Sequence, residues 1–443
     1  MHPPSRMHRR LAGMAPPTVY PEFAWTSGLC LVLPDTSHHG RTSVTHTRCT
    51  GIMRVAILAE SFLPHMNGVT HSLLRVLDHL ADRGDDVLVI APGTKRDKPH
   101  EVAGAPIVRV PSFALPKYRR VRVAPGGVAR IRRLLAEFEP DVVHLASPFV
   151  LGWRGVLACQ DLGLPSVAVY QTEVPAYAAR YGMHGLEQML WHHVRNIHQH
   201  ASLTLVPSSY AAGQLTSHGV GTVRTWARGV DASRFDPTRR SESWRQTIAP
   251  NGEKIIGFVG RLAVEKQVED LAVLAGDPSL KLVIVGEGPQ KKRLQQVLPN
   301  AHFTGFLGGD ALAQAVASFD VMVAPGELET FCQTIQEAMA SAVPVVAPAR
   351  GGPLDLVDSS RTGWLYQPGD LRALRGHVRD LAGDDAKRCA FGQTARATVL
   401  GRSWKSVCSQ LIGHYAAAIE NPAPQVIGRS GVGAPRWAQD RVG

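Results

Sequence analysis

Two glutamates, Glu329 and Glu337, stand eight positions apart in GELETFCQTIQEAMASAVPVVAPARGGPLDLV, which begins at Gly326. The spacing predicts a helix that starts near Thr330 or Phe331, so Glu329 precedes it and Glu337 lies inside it. A carboxylate accepts two hydrogen bonds at once, which suits the vicinal hydroxyls of a ribose. The free N–H groups and positive end of a helix suit a diphosphate. Two cations, Arg261 and Lys266, stand in GFVGRLAVEKQV, just past the end of an expected strand. Arginine offers a planar fork to phosphate oxygens, and lysine offers a compact charge. Each feature alone fits a solvated surface. The glutamates fit a surface less well, because apolar or small residues surround them. Glu337 is assigned to a ribose, the cations and helix end to phosphates, and Glu329 to the group beyond.

A further strand ends in VIVGEGPQKKRL, where Gly286 and Gly288 let the backbone turn tightly and a ligand approach closely. A plain turn explains them equally well. No third glycine completes GxGxxG, so a dinucleotide fingerprint is excluded.

These residues need strands and helices to hold them. From Met53 onward, short apolar runs alternate with helical patterns. Expected strands are Val55–Leu58, Asp86–Pro92, Pro106–Pro111, Asp141–Pro148, Ser166–Thr172 and Leu203–Ser208. A helix is expected over Val69–Leu80 and a basic one over Gly127–Glu139. The pattern breaks at Trp226–Pro250, read as an interdomain linker. It restarts with Lys254–Gly260, Lys281–Gly288, Ala301–Leu307, Asp320–Gly326, Val343–Ala349 and Gly363–Pro368. Such a series predicts an α/β architecture: two Rossmann-like, doubly wound domains whose strand C-termini face a central cleft. The expected domains are residues 53–225 and 226–402, followed by a helix at 403–420 and a disordered tail at 421–443. Residues 1–52, rich in Pro, Arg, His and Thr, are excluded from the fold. They are either a disordered extension or sequence upstream of a true start at Met53.

The chain has 443 residues and a net charge of +11, which points to an anionic partner. Its six cysteines lack zinc-ligand or CxxC spacing, so reduced thiols are expected. No apolar run is long enough to span a bilayer, and Gly28–Pro34 is too short for a signal peptide.

The order and spacing of several motifs resemble the retaining glycosyltransferases of family 4, which have the GT-B fold. The motifs are NGVTHSLLRVLDHLADRG, DVVHLASP, GVD at Gly229–Asp231, GRLAVEK, GEGP, the E-x7-E of ETFCQTIQEAMASAVPVVAP, and GGPLDLV. The likeness spans Met53 to about Ala418. YQTEVPAYAARYG, ETFCQ and GRSWKSVCSQLIGHY narrow it to actinobacterial GDP-mannose-dependent α-mannosyltransferases, which add mannose to lipid-linked acceptors. The resemblance implies that Arg261 and Lys266 bind the donor diphosphate, Glu337 the ribose and Glu329 the hexose hydroxyls. It places Gly68, Gly260, Phe331, Cys332 and Gln171 around the donor. It implies that the last helix crosses back onto the first domain. It also implies same-face attack, with the leaving phosphate taking the acceptor proton, so Glu329 positions rather than attacks. No DxD acid pair is suitably placed, and a metal-independent enzyme without a cofactor is expected.

One departure stands out. Many relatives set a first-domain histidine against the hexose, whereas the matching strand ends here read Ala146 and Gln171. His144 is expected on the opposite face of its strand from Ala146, in a structural role.

KYRRVRVAPGGVARIRRLL carries seven cations from Lys117 to Arg133, with apolar residues interleaved. Each cation near an anionic leaflet adds about 1 kcal/mol. Peripheral docking on the inner face of the cell membrane is expected, alongside a sugar-nucleotide donor and a lipid or glycolipid acceptor. Nucleic acid is not expected, because no nucleic-acid module is present. Three other readings are a UDP-sugar-dependent glycosyltransferase (glucosyl- or sulfoquinovosyl-type), a UDP-sugar 2-epimerase and a non-catalytic binder. The full set of Arg261, Lys266, Glu329 and Glu337 speaks against the last two.

Overall fold

The computed structural model describes residues 51–422, apart from Lys95, 116–117, 124–126 and 177–183. The expectations for residues 1–50 and 423–443 lie outside the described residues.

The first sheet contains β1 (Arg54–Ala59), β2 (Asp86–Pro92), β3 (Glu101–Val102), β4 (Ala105–Val110), β7 (Val142–Ala146), β8 (Ser166–Val169), β9 (Leu203–Val206) and β10 (Val223–Thr225). Phe113–Leu115 and Tyr118–Val123 form a separate antiparallel hairpin, β5 and β6. The strand order is β10-β9-β8-β7-β1-β2-β4-β3, parallel except for the β3–β4 pair. Alternate residues of β1 face opposite layers, as strand geometry requires. Val55, Ile57 and Ala59 meet Leu73, Val76, Leu77 and Leu80 of the helix Gly68–Arg83. Ala56 and Leu58 meet Ile131 and Leu135 of Val128–Phe138 and Leu151 and Val156 of Val150–Leu162. Both faces are thus covered, which explains why the strands read as continuous apolar runs.

The second sheet contains β11 (Lys254–Val259), β12 (Leu280–Val285), β13 (His302–Gly305), β14 (Val321–Val323), β15 (Val345–Pro348) and β16 (Gly363–Tyr366). Its order, β13-β12-β11-β14-β15-β16, reverses between β11 and β14. The chain therefore leaves β11 and β14 in opposite directions and opens a crevice at their carboxyl ends.

The helix Trp404–Glu420 packs on the first sheet through Val407, Cys408, Leu411, Tyr415 and Ala418. Trp226 Nε1 donates to Val407 O at 2.9 Å. Tyr415 OH lies 2.6 Å from His144 Nδ1, and both groups are buried. Burial pulls the imidazole down to about 3, so it stays neutral. His144 shares its face of β7 with Ala146, because residues two apart on a strand point the same way. The expectation of opposite faces is therefore wrong, while the structural role follows from the tyrosine that covers the ring. Tyr415→Phe removes the hydrogen-bond partner of a buried ring nitrogen. It is expected to cost about 1–3 kcal/mol of stability, read as a drop in urea midpoint at unchanged slope. An unchanged midpoint would show that the pair contributes nothing.

Three further points arise here. The helix carrying Glu337 spans Gln333–Ala340, starting later than expected. Cys332 before it takes a left-handed φ of 70°, which breaks the helix there. Residues 226–250, expected as an interdomain linker, are packed rather than irregular throughout. Trp226, Arg228 and Val230 are buried, and Glu242–Ile248 is helical. In the basic stretch, Ile131 and Leu135 point into the core, so the interleaved apolar residues of that helix are not offered outward.

Candidate active site

The second sheet's topology brings Lys266 to Glu329. Arg261 and Lys266 follow β11, and Glu329 follows β14, the two strands that flank the crevice. Lys266 Nζ forms a close ion pair with Glu329 Oε1. Both side chains are about one-fifth exposed, at 22% and 17%. Arg261 is exposed. The sequence assigned these residues to one ligand but gave no sign that the lysine and glutamate touch each other.

Glycines press the loops into place. A Cβ on Gly351 would sit 2.4 Å from Glu329 O, and one on Gly352 would sit 2.3 Å from Phe331 O. Gly352 N donates to Glu329 O at 2.6 Å. The Gly-Gly-Pro turn therefore grips the backbone of Glu329–Phe331 from behind. Gly286 and Gly288 act likewise on the other side. Their Cβ positions would lie 1.9 Å from Gly260 O and 2.2 Å from Leu262 O. These two glycines admit the backbone that carries Arg261, and the expected ligand approach is taken up by protein. Gly68 differs, because nothing lies within 4 Å of its Cβ position.

The helix Gln333–Ala340 begins without a side-chain cap. Of its leading N–H groups, that of Ile335 donates to Cys332 O at 3.2 Å; a helix end without a side-chain cap suits a phosphate. Phe331 and Cys332 just before it are buried and pack in the second core. Burial also pushes the Cys332 thiol up to about 12, so it is not a nucleophile. Glu337 is buried, and desolvation raises its carboxyl to about 8, opposed by a hydrogen bond from Gln333 and the charge of Arg234. A carboxyl in that state gains from hydroxyl donors that stabilise its charged form.

The first domain reaches the site through Gln171. Thr330 Oγ1 donates to Gln171 O at 2.9 Å, which ties the Glu329 loop to the end of β8. Asn67 caps the helix Gly68–Arg83 by accepting from Thr70 N at 2.9 Å. Sequence reasoning missed Arg228, which binds Gly68 O and Gln171 Oε1, and Gln333 and Gln336, whose amides hold the carbonyls of Gly229 and Arg228. The one available signal was a charged residue inside the apolar run Trp226–Val230.

Two parallel α/β domains meeting at a cleft, with cations and acids at a topological switch point, define a GT-B glycosyltransferase architecture. Residues 66–234 match the family described as Glycosyltransferase Family 4, and residues 240–398 match Glycosyl transferases group 1. A GDP-mannose-dependent alpha-mannosyltransferase of Mycolicibacterium smegmatis is 52% identical, the match covering 83% of this chain and 98% of that protein. One of the same description from Mycobacterium tuberculosis is 47% identical, covering 82% and 97%. Among solved structures, sucrose-phosphate synthase from Thermosynechococcus elongatus aligns with a TM-score of 0.71 at 21% identity, covering 83% of this chain and 99% of that one. Anabaena HepE in complex with UDP and glucose aligns at 0.67 and 18%, covering 82% and 100%. The chain belongs to glycosyltransferase family 4.

Proposed function

We propose that this chain transfers mannose from GDP-mannose to a lipid or glycolipid acceptor, with retention at the sugar carbon and without a metal. The observation that supports the reading is the close ion pair of Lys266 with Glu329 at the carboxyl end of the second sheet. Mannose and GDP are supported by the GDP-mannose-dependent alpha-mannosyltransferases that match over almost their full length. A phosphatidylinositol dimannoside mannosyltransferase of Mycobacterium tuberculosis, 27% identical, supports the glycolipid acceptor class.

In this reading Glu337 accepts from both ribose hydroxyls. The helix end and the two cations hold the diphosphate and stabilise its charge as it departs, the task a metal performs elsewhere. Glu329, once Lys266 turns to phosphate, accepts from hexose hydroxyls. The acceptor attacks from the face that the diphosphate leaves, and a phosphate oxygen takes its proton. Guanine lies against the loop Phe303–Leu307, where Phe306 is 77% exposed.

The acceptor side is placed at an anionic membrane on its cytoplasmic face. Arg132 and Arg133 are exposed on the helix Val128–Phe138, and Phe113 is exposed at the start of the hairpin. Side chains of residues 114–126, including Lys117, lie outside the described residues. No helix among the described residues is long and apolar enough to cross a membrane.

Calorimetric titration of GDP and UDP in the presence of EDTA tests the donor. GDP is expected to bind at least about tenfold more tightly than UDP, a difference of about 1.4 kcal/mol. Tighter UDP binding would move the enzyme to a UDP-sugar donor, and GDP binding that vanishes in EDTA would refute metal independence.

A further inference from the structure

Arg228 and Gln171 support an inference that rests on the glycosyl-transfer reading above. Arg228 lies in the segment that passes from the first domain to the second. Its buried guanidinium donates to Gly68 O at 2.7 Å, to Ser72 Oγ, and to Gln171 Oε1 at 2.6 Å. A guanidinium has donors only, so the Gln171 atom beside it must be the amide oxygen. The amino group of Gln171 is therefore turned the other way. It is buried and has no hydrogen-bond partner. A buried amide donor left unmet costs about 1–3 kcal/mol, so its orientation is maintained by Arg228 rather than by its own contacts.

The same segment is held from the nucleotide side. Gln336 Nε2 donates to Arg228 O and Gln333 Nε2 to Gly229 O, each at 3.0 Å. Both glutamines sit on the helix that carries Glu337. Thr330, next to Glu329, donates to the Gln171 carbonyl. Arg228 therefore fixes one amide of the first domain relative to both acids of the second.

We propose that Arg228 is a positioning residue that makes Gln171 a strict hydrogen-bond donor to an oxygen of the transferred hexose. The amide at this strand end can then give a hydrogen bond and cannot take one. The proton-accepting option of an imidazole is absent, and a sugar lacking that oxygen leaves the amide unmet.

Three variants test this with GDP-mannose and a mannosyl-lipid acceptor. Gln171→Glu keeps an oxygen toward Arg228 and replaces the free amino group by a second oxygen. Its kcat is expected to fall on the order of a hundredfold, with GDP affinity and melting temperature near wild type. Gln171→His turns one ring nitrogen to Arg228 and restores an N–H on the other side, so it is expected to retain activity within about tenfold. Arg228→Lys keeps the charge but loses the fork, and is expected to lower kcat more than it weakens GDP binding. Full activity of Gln171→Glu, or equal losses in the glutamate and histidine variants, would overturn the proposal. A wild-type protein that binds no GDP and transfers no mannose would instead bring down the donor assignment, and this inference with it.

Discussion

Lys266→Ala is expected to lower kcat by roughly a hundred- to a thousandfold, the scale seen when one donor to a developing anion is removed. Lys266 pairs with Glu329, which compensates that carboxylate in a partly buried site. In the proposed reaction it also faces the diphosphate, whose negative charge grows as the sugar departs. The variant removes the second contact and leaves Glu329 without its near cation. Binding of GDP is expected to weaken less, by about tenfold, because Arg261 and the helix end still hold the phosphates. Lys266→Arg restores charge in a different shape and is expected to recover part of the loss. Single-turnover rates and GDP titrations on the same preparations separate the two effects. A kcat within tenfold of wild type for Lys266→Ala would remove this lysine from the chemistry.

Glu337 is expected to make nucleotide binding release a proton. Its carboxyl stands at about 8 in the folded chain against an ordinary 4.5, because it is buried. The sign for stability follows directly. Between pH 4.5 and 8 the unfolded chain has lost this proton while the folded chain keeps it. Stability contributed by this group therefore falls as pH rises through that window, at up to about 1.4 kcal/mol per pH unit. Glu337→Gln is expected to flatten that slope. Ribose hydroxyls donate to the charged form and draw the carboxyl back down. GDP affinity is then expected to rise with pH toward 8, by up to about tenfold per unit. Glu337→Gln is expected to lose that dependence and at least about tenfold in affinity. Calorimetry in two buffers of different ionisation enthalpy counts the proton. The same heat in both buffers would mean that the hydroxyls meet a carboxyl whose protonation does not change.

Much of the frame was legible in the chain itself. Each of the twelve expected strands is present within a few residues, because burial on both faces makes parallel strands apolar throughout. The polar strands escaped: β3 and β10 lie at the edges of the first sheet and β6 reads YRRVRV, so none shows the continuous apolar run of a strand covered on both faces. The delayed start of the Gln333 helix escaped too, since a left-handed cysteine has no mark in composition. The positions of Arg261, Lys266 and Glu329 after strands and of Glu337 in a helix were legible because strand ends and helices are local signals, each readable over a few positions.

The sequence by itself determined which side chains stand at strand ends, and the doubly wound pattern sent those ends toward one crevice. Tertiary structure alone decided what touches what. Whether Lys266 meets Glu329, 63 residues away, depends on which strands lie side by side. Whether Gly286 faces a ligand or the Gly260 carbonyl depends on how closely two loops pack. Arg228 looked like one more cation in a linker, and burial against Gly68, Ser72 and Gln171 gave it a task. The physical reason is the same each time. Periodicity and turn chemistry act over a few neighbours in the chain, whereas pairing and desolvation act between residues that only folding brings together.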